Sequence, residues 1–117
     1  MVSSFDFASN VIGILVKEDV DSDSIEEIHE LIGDRIQLHD QINLFVDIDA
    51  GQKITIPAML KDMLFKFENA GHFKKIAMVC DEFWIQGAME FKNLVMNAEV
   101  KTFSHDERLE AMNWIMN

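Results

Sequence analysis

"INLFVDIDAGQKITIPAMLKDMLFKFENAGHFKKIAMVC", residues 42–80, is the stretch that decides the fold. It begins with an apolar run that predicts a buried strand over 42–48, and it ends with a second such run at 74–80. Between the two runs, Pro57 suits the first turn of a helix and Gly71 suits its C-terminal end. A strand, a helix and a strand in this order indicate a right-handed crossover between two parallel strands.

The rest of the chain extends this unit on both sides. The further predicted elements are strands 3–6 and 11–17, helices 22–39 and 82–97, strand 100–103, and a last helix after residue 104. We therefore predict an α/β fold with the element order β-β-α-β-α-β-α-β-α, as a single domain over residues 1–117. Its five-stranded sheet is mostly parallel, and its hairpin-linked N-terminal strand is antiparallel.

Each predicted helix has apolar residues at the spacing of one helical face, and we expect these faces to be buried. They are Ile25, Ile28, Ile32 and Ile36 in the first helix, Met59, Leu60, Met63, Leu64 and Phe67 in the second, and Leu109, Met112, Ile115 and Met116 in the last. We expect Asp23 or Ser24 to cap the first helix, and Ser104 and Glu107 to form a capping box on the last.

Charge and composition exclude several classes of protein. The formal net charge of −11 opposes binding to nucleic acid or to an anionic membrane surface. The longest apolar runs are far shorter than the roughly 20 residues of a membrane-spanning helix, and the N-terminal residues do not resemble a secretory leader. The chain has one cysteine, which cannot form an internal disulfide. These features predict a cytoplasmic protein that is not inserted in a membrane.

Acidic side chains follow two neighbouring strands of the predicted sheet. Asp47 and Asp49 lie at the end of the third strand, and Asp81 follows the fourth. The carboxyl ends of parallel strands usually carry the ligand site, so these residues could hold a divalent cation or act as acid and base. Alternatively, they form a solvated acidic rim in which Asp81 caps the next helix. Their spacing matches no recognised metal or phosphate motif.

Thr55 precedes Pro57 at the predicted start of the second helix. A phosphate at a helix N-terminus is electrostatically favoured, so Thr55 is a candidate phosphoacceptor. The other interpretation is that its hydroxyl caps the helix.

Covalent and metal-assisted catalysis find little support in the sequence. The four histidines form no zinc or di-iron pattern, and Cys80 at the end of a buried strand has no basic activator. No nucleophile motif is present. We predict no catalytic residue, no metal site and no cofactor.

The predicted helix over 82–97 is the unusual element, because its apolar residues span about 240° at 100° per residue, more than one sheet face needs. Neighbouring helices, a partner or second copy, or an apolar ligand could cover the surplus. We predict that partner or ligand binding uses the large apolar side chains of this helix and one from the helix before it. They are Phe65, Phe83, Trp84, Ile85 and Met89.

The segment "FKKIAMVCDEFW" (73–84) resembles the SpoIIAA-like family, and so do "LFVDID" (44–49) and "FSHDERLEAMNWI" (103–115). The resemblance implies a fold shared with STAS domains, the anti-sigma-factor antagonists, and with the lipid-binding CRAL-TRIO group. In the antagonists, a serine at the start of the helix after the third strand is phosphorylated. The matching region here, "KITIPAML" (53–60), lacks the paired serine and the glycine and offers Thr55 alone.

The residues and the resemblance together predict a non-enzymatic binding or regulatory module. It would associate with a protein partner or form a homodimer through an apolar helix surface. The alternatives are a carrier of a small apolar, lipid-like ligand and a divalent-cation-binding enzyme that uses the acidic rim.

Overall fold

A computed structural model of the chain describes residues 2–8, 10–82, 84 and 98–117. The strands are β1 (Val2–Ala8), β2 (Val11–Val16), β3 (Ile42–Ile48), β4 (Phe73–Val79) and β5 (Glu99–Phe103). The helices are α1 (Ser22–Leu38), α2 (Ile56–Glu68) and α3 (Arg108–Met116), with short 3-10 turns at Ala70–His72 and His105–Glu107. Most of the helix predicted over 82–97 lies outside the described residues.

The five strands lie in one sheet in the order β1-β2-β3-β4-β5. Strands β2 to β5 are parallel, and β1 pairs antiparallel with β2 at one edge. The predicted α/β class with a parallel sheet is confirmed. Since consecutive strands are neighbours, the carboxyl ends of β2 and β3 lie side by side, as do those of β3 and β4.

Side chains at the helix ends explain where the helices begin. Asp21 caps α1, because its carboxylate accepts hydrogen bonds from the backbone N–H and the hydroxyl of Ser24, at 2.9 and 3.0 Å. These bonds lower the pKa of Asp21. The predicted cap, Asp23 or Ser24, is therefore wrong, because the cap is Asp21, two residues before Asp23. At the other end of the chain, the predicted capping box of Ser104 and Glu107 is confirmed.

The helices α1 and α2 cover one face of the sheet. Ile25, Ile28 and Ile32 of α1 are buried there, as predicted, and Ile36 is partly buried. Among the α2 side chains that the structure describes, Ala58 alone is fully buried in this core.

The predicted burial of Met59, Leu60 and Leu64 is wrong, because all three side chains are exposed. The side chains of Met63 and Phe67, predicted on the same face, lie outside the described part of the structure. The side of α2 that points inward carries Ala58, Asp62, Phe65 and Asn69. These four recur at intervals of three and four residues, and Leu60 lies about 200° around the helix from Ala58.

The helix α3 covers the opposite face of the sheet. Ala111 and Ile115 of α3 pack there against a second core cluster, which contains Val11, Phe45, Ala77 and Val79. Leu109 and Met116 were predicted to be buried but are exposed, because the short helix turns only a narrow strip toward the sheet.

Polar contacts fix the C-terminal half of α3. Asn43 Nδ2 donates to the carbonyl oxygen of Ile115 at 2.8 Å. The indole of Trp114 has the ammonium groups of Lys75 and Lys101 at 5.1 and 5.0 Å from its ring centre.

Candidate functional site

A groove lies at the carboxyl ends of β2 and β3, beside the first turn of α3. Its volume is about 500 Å³. Its lining residues are Leu15, Lys17, Asp47, Asp49, Arg108 and Met112. Ligands of open parallel sheets bind at this end of the strands, so the groove is the first place to examine for a binding site.

An ion pair between a buried carboxylate and a partly exposed arginine forms part of the groove wall. Arg108 Nε donates to Asp47 Oδ2 at 2.5 Å, and Nη2 donates to Oδ1 at 3.3 Å. The Asp47 side chain is 7% exposed and that of Arg108 is 43% exposed. The hydrogen bond to Asp47 raises the pKa of Arg108. The carboxylate of Asp47 is therefore committed to holding α3 on the sheet.

The sequence pattern did not identify Arg108 as the partner of Asp47. The two residues are 61 positions apart in the chain. The sequence feature that could have indicated this pair is an arginine at the start of a helix, because a positive charge there is unfavourable without an acidic partner.

Four of the six residues that line the groove are charged. Two of its lining residues are cationic, Lys17 and Arg108, and two are anionic, Asp47 and Asp49, so their formal charges cancel. Lys17 is exposed and Asp49 is half-buried. An apolar ligand in this groove would have to desolvate charged groups, which opposes its binding there.

The third predicted rim residue, Asp81, has a separate structural task. Its Oδ2 accepts a hydrogen bond from the backbone N–H of Gly51 at 3.0 Å. Gly51 has φ of +85°, a left-handed conformation that favours glycine, at the turn after β3. Asp81 thus fastens this turn to the end of the neighbouring strand β4.

The loop between β3 and α2 is fastened on both sides. On the β2 side, Val20 N–H donates to the carbonyl of Lys53 at 2.7 Å, and Thr55 N–H donates to the carbonyl of Val20 at 2.9 Å. On the β4 side, the Trp84 indole N–H donates to the carbonyl of Gln52 at 2.9 Å. The loop therefore serves as a structural connection that sets the start of α2.

The three rim carboxylates do not form a shared metal site. Within the part of the chain that the structure describes, no three histidine, cysteine, aspartate or glutamate side chains are placed to hold one ion. Asp47 is occupied by Arg108, and Asp81 by Gly51. The geometry consequently favours structural roles for these two acids.

Thr55 is the N-cap of α2. Its hydroxyl accepts a hydrogen bond from the backbone N–H of Ala58 at 3.3 Å, and its side chain is exposed. The capping interpretation explains this residue without a phosphate. Phosphorylation of Thr55 stays a prediction.

Two of the predicted apolar contact residues lie largely inside the fold. Phe65 is partly buried and stacks on His29, with ring centroids 4.0 Å apart and planes 3° apart. His29 Nε2 lies 3.0 Å from Asp62 Oδ1, so this contact joins α1 to α2. Trp84 packs against the same core. The other predicted contact residues, Phe83, Ile85 and Met89, lie outside the described residues.

The outer side of α2 carries four of the seven exposed large apolar side chains of the described residues. Ile56 is 71% exposed, Leu60 57% and Leu64 62%, and Met59 beside them is 41% exposed. These four residues are called the α2 face below. Ile56, Leu60 and Leu64 follow one another at intervals of four, so they form a straight ridge along the helix.

Cys80 is buried at the end of β4, on the side covered by α1 and α2. Burial, together with the charge of Asp81, raises the pKa of its thiol to about 11. At neutral pH the thiol is protonated and shielded, which is the state of a core residue.

No described helix combines the length and the apolar character that crossing a membrane requires.

The described residues define a class: an α/β domain with parallel strands β2 to β5, the helices α1 and α2 on one sheet face, and α3 on the other. The sequence profile of the SpoIIAA-like family matches residues 11–116. The chain belongs to the SpoIIAA-like family, and the resemblance noted in its sequence is confirmed.

A solved structure supports the same fold. It is the crystal structure of an uncharacterised protein from Shewanella loihica PV-4 with a SpoIIAA-like fold. The two chains are 15% identical, with a TM-score of 0.74, and the match covers 97% of this chain and 93% of the other. At this identity the likeness concerns the fold alone. No curated protein sequence matches this chain.

Proposed function

We propose that the chain is a non-enzymatic binding module that associates with another protein chain through the α2 face. The observation that carries this proposal is the exposure of Ile56, Leu60 and Leu64 in a single ridge. Single exposed apolar residues are common on protein surfaces, but several large ones in contact with one another are typical of interaction sites.

The way α2 is held supports the proposal. Its inner side is fixed by the Phe65–His29 stack. On its flank, the ammonium of Lys61 lies 2.6 Å from Glu26 Oε1 in α1, an exposed pair that adds little stability. A firmly held helix presents its outer ridge with little loss of conformational entropy on binding. An amphipathic helix laid against a partner is a common recognition mode.

The residues of the groove support a binding role more than catalysis. Its one buried carboxylate is paired with Arg108, and the thiol of Cys80 is buried on the other side of the sheet. The buried thiol also suits a reducing compartment, which supports a cytoplasmic location as part of this proposal.

Site-specific photo-cross-linking in the native cells tests the proposal. A photoreactive residue in place of Leu60 is expected to give a discrete protein adduct, and adding Leu64→Asp is expected to remove it. The matched control places the photoreactive residue at Leu38, which is 75% exposed at the end of α1. Equal labelling from both positions, or none from Leu60, would refute the proposal.

A further inference from the structure

We infer that the α2 face binds a second copy of the same chain, with the two α2 helices antiparallel about a twofold axis near Leu60. This inference rests on the proposed function and names its partner.

The first argument is the geometry of the ridge. From Ile56 to Leu64 the helix rises about 12 Å, with Leu60 at the midpoint. In an antiparallel pair centred on Leu60, Ile56 of one copy lies against Leu64 of the other. Leu60 then meets Leu60 of the second copy. A twofold interface requires such a self-complementary row, since each contact between two different residues must occur twice.

The second argument is the charge along α2. The helix contains two lysines and two acids, Lys61, Asp62, Lys66 and Glu68, so its formal charge is zero. By contrast, α1 contains five acids and one arginine, a formal charge of −4. Two chains of charge −11 repel each other, and they approach at lowest cost through a neutral element.

The third argument is the placement of acids at the ends of α2. Its first turn has no acidic residue, so the positive pole of the helix dipole is not neutralised by an acid within that turn. Glu68 continues the ridge four residues after Leu64 and is exposed in the last turn, where an acid opposes the dipole. In the antiparallel pair, Glu68 of each copy lies near the start of α2 of the other. Both unfavourable ends thereby gain an opposite charge.

The size of the contact sets its strength. A helix of 13 residues is about 20 Å long, and its outer face alone is smaller than the roughly 800 Å² per partner of standard stable interfaces. We therefore expect a reversible dimer that dissociates in the micromolar range, rather than a permanent one.

Sedimentation equilibrium on the purified full chain tests the inference. The wild type is expected to pass from monomer to dimer between about 1 and 500 µM. Leu60→Asp is expected to stay monomeric throughout, since it places two like charges at the axis. Leu109→Asp, which alters a leucine 74% exposed on α3, is the matched control and is expected to dimerise like the wild type. Glu68→Lys is expected to weaken the dimer about tenfold, because it reverses two favourable end contacts.

Cysteine cross-linking tests the orientation. In a Cys80→Ala background, Ile56→Cys mixed with Leu64→Cys is expected to give the mixed disulfide on mild oxidation. Predominant pairing of each variant with itself would overturn the antiparallel arrangement.

The inference and the proposed function fail in different ways. If the wild type is monomeric at 500 µM and Leu60 gives a photo-adduct to a different protein, the homodimer is refuted, whereas the proposed binding role is supported. A dimer that Leu60→Asp does not disturb, with no photo-adduct at Leu60, overturns both.

Discussion

At the scale of single residues, Asp47 and Arg108 form the most consequential contact. The carboxylate is buried, whereas the guanidinium is half-exposed and reaches water. Removing Arg108 therefore leaves a buried charge unpaired, whereas removing Asp47 leaves a charge that water can solvate.

We expect Arg108→Met to lower the free energy of unfolding by about 2 kcal/mol, because it leaves a buried carboxylate unpaired. Urea denaturation followed by circular dichroism measures the change. The double variant Asp47→Asn, Arg108→Met removes the buried charge and should recover part of the loss. A single variant as stable as the wild type would contradict the structural role of the pair.

The thiol of Cys80 gives a prediction of reactivity and of pH dependence. We expect native Cys80 to resist iodoacetamide at pH 8 and to react readily in 8 M urea, since the thiol is buried and its pKa is raised to about 11.

The sign of the pH effect follows from that raised pKa. The protonated thiol is favoured in the folded state, so its contribution to stability is complete below the ordinary pKa of 9.0 and is lost as pH rises toward 11. The loss is about 2 kcal/mol, and Cys80→Ala should not show it. Rapid alkylation of the native protein would disprove this account.

At the scale of elements, the sequence predicts the strands and the buried side of α1 well, but three of the residues predicted to be buried in α2, Met59, Leu60 and Leu64, are exposed. The isoleucines of α1 form a single apolar row, so its burial followed from periodicity. In α2, apolar residues occur on both sides of the helix. The buried side is marked by Asp62, which contacts His29 thirty-three positions away. A contact between residues so far apart in the chain leaves no periodic signal in the sequence. Periodicity therefore favours the row with more apolar residues as the buried side of α2.

The candidate site was predictable only in part, for the same reason. The location of Asp47 and Asp49 at strand ends followed from the fold, and both line the groove. The pairing of Asp47 with Arg108 and of Asp81 with Gly51 depends on how loops and α3 return to the sheet. The apolar pattern of the strands does not indicate where the loops and α3 contact the sheet.

The cap of α2 gives the first prediction for a helix. We expect Thr55→Ala to cost about 1 kcal/mol of unfolding free energy, because the bond to the N–H of Ala58 is lost. Thr55→Asp should equal or exceed the wild type, since aspartate caps well and adds a negative charge at the helix start. Thermal melts of the three proteins rank them. A destabilised Thr55→Asp would contradict the capping role.

The packing of α3 gives the second prediction for a helix. Ile115 is completely buried, whereas its neighbour Met116 is 49% exposed. We expect Ile115→Ala to cost about 3 kcal/mol and Met116→Ala less than 1 kcal/mol in urea denaturation. Similar costs for the two variants would show that α3 is oriented differently.

At the scale of the whole molecule, net charge governs association between copies. Two chains of charge −11 repel over long distances, and salt screens that repulsion. We expect the dimer to become tighter between 20 and 300 mM NaCl, although the two end contacts of Glu68 weaken slightly. Sedimentation at both salt concentrations measures the change. A dimer that loosens with salt would point to an interface held mainly by opposite charges.

The placement of α3 bears on how the chain folds as it is synthesised. All five strands precede α3, and within the described residues α3 is the helix that covers Phe45, Ala77 and Val79. These three side chains lack the cover of α3 until residues 108–116 have left the ribosome tunnel. During this interval the growing chain is prone to aggregation, and chaperones that shield apolar surface should bind it until α3 emerges.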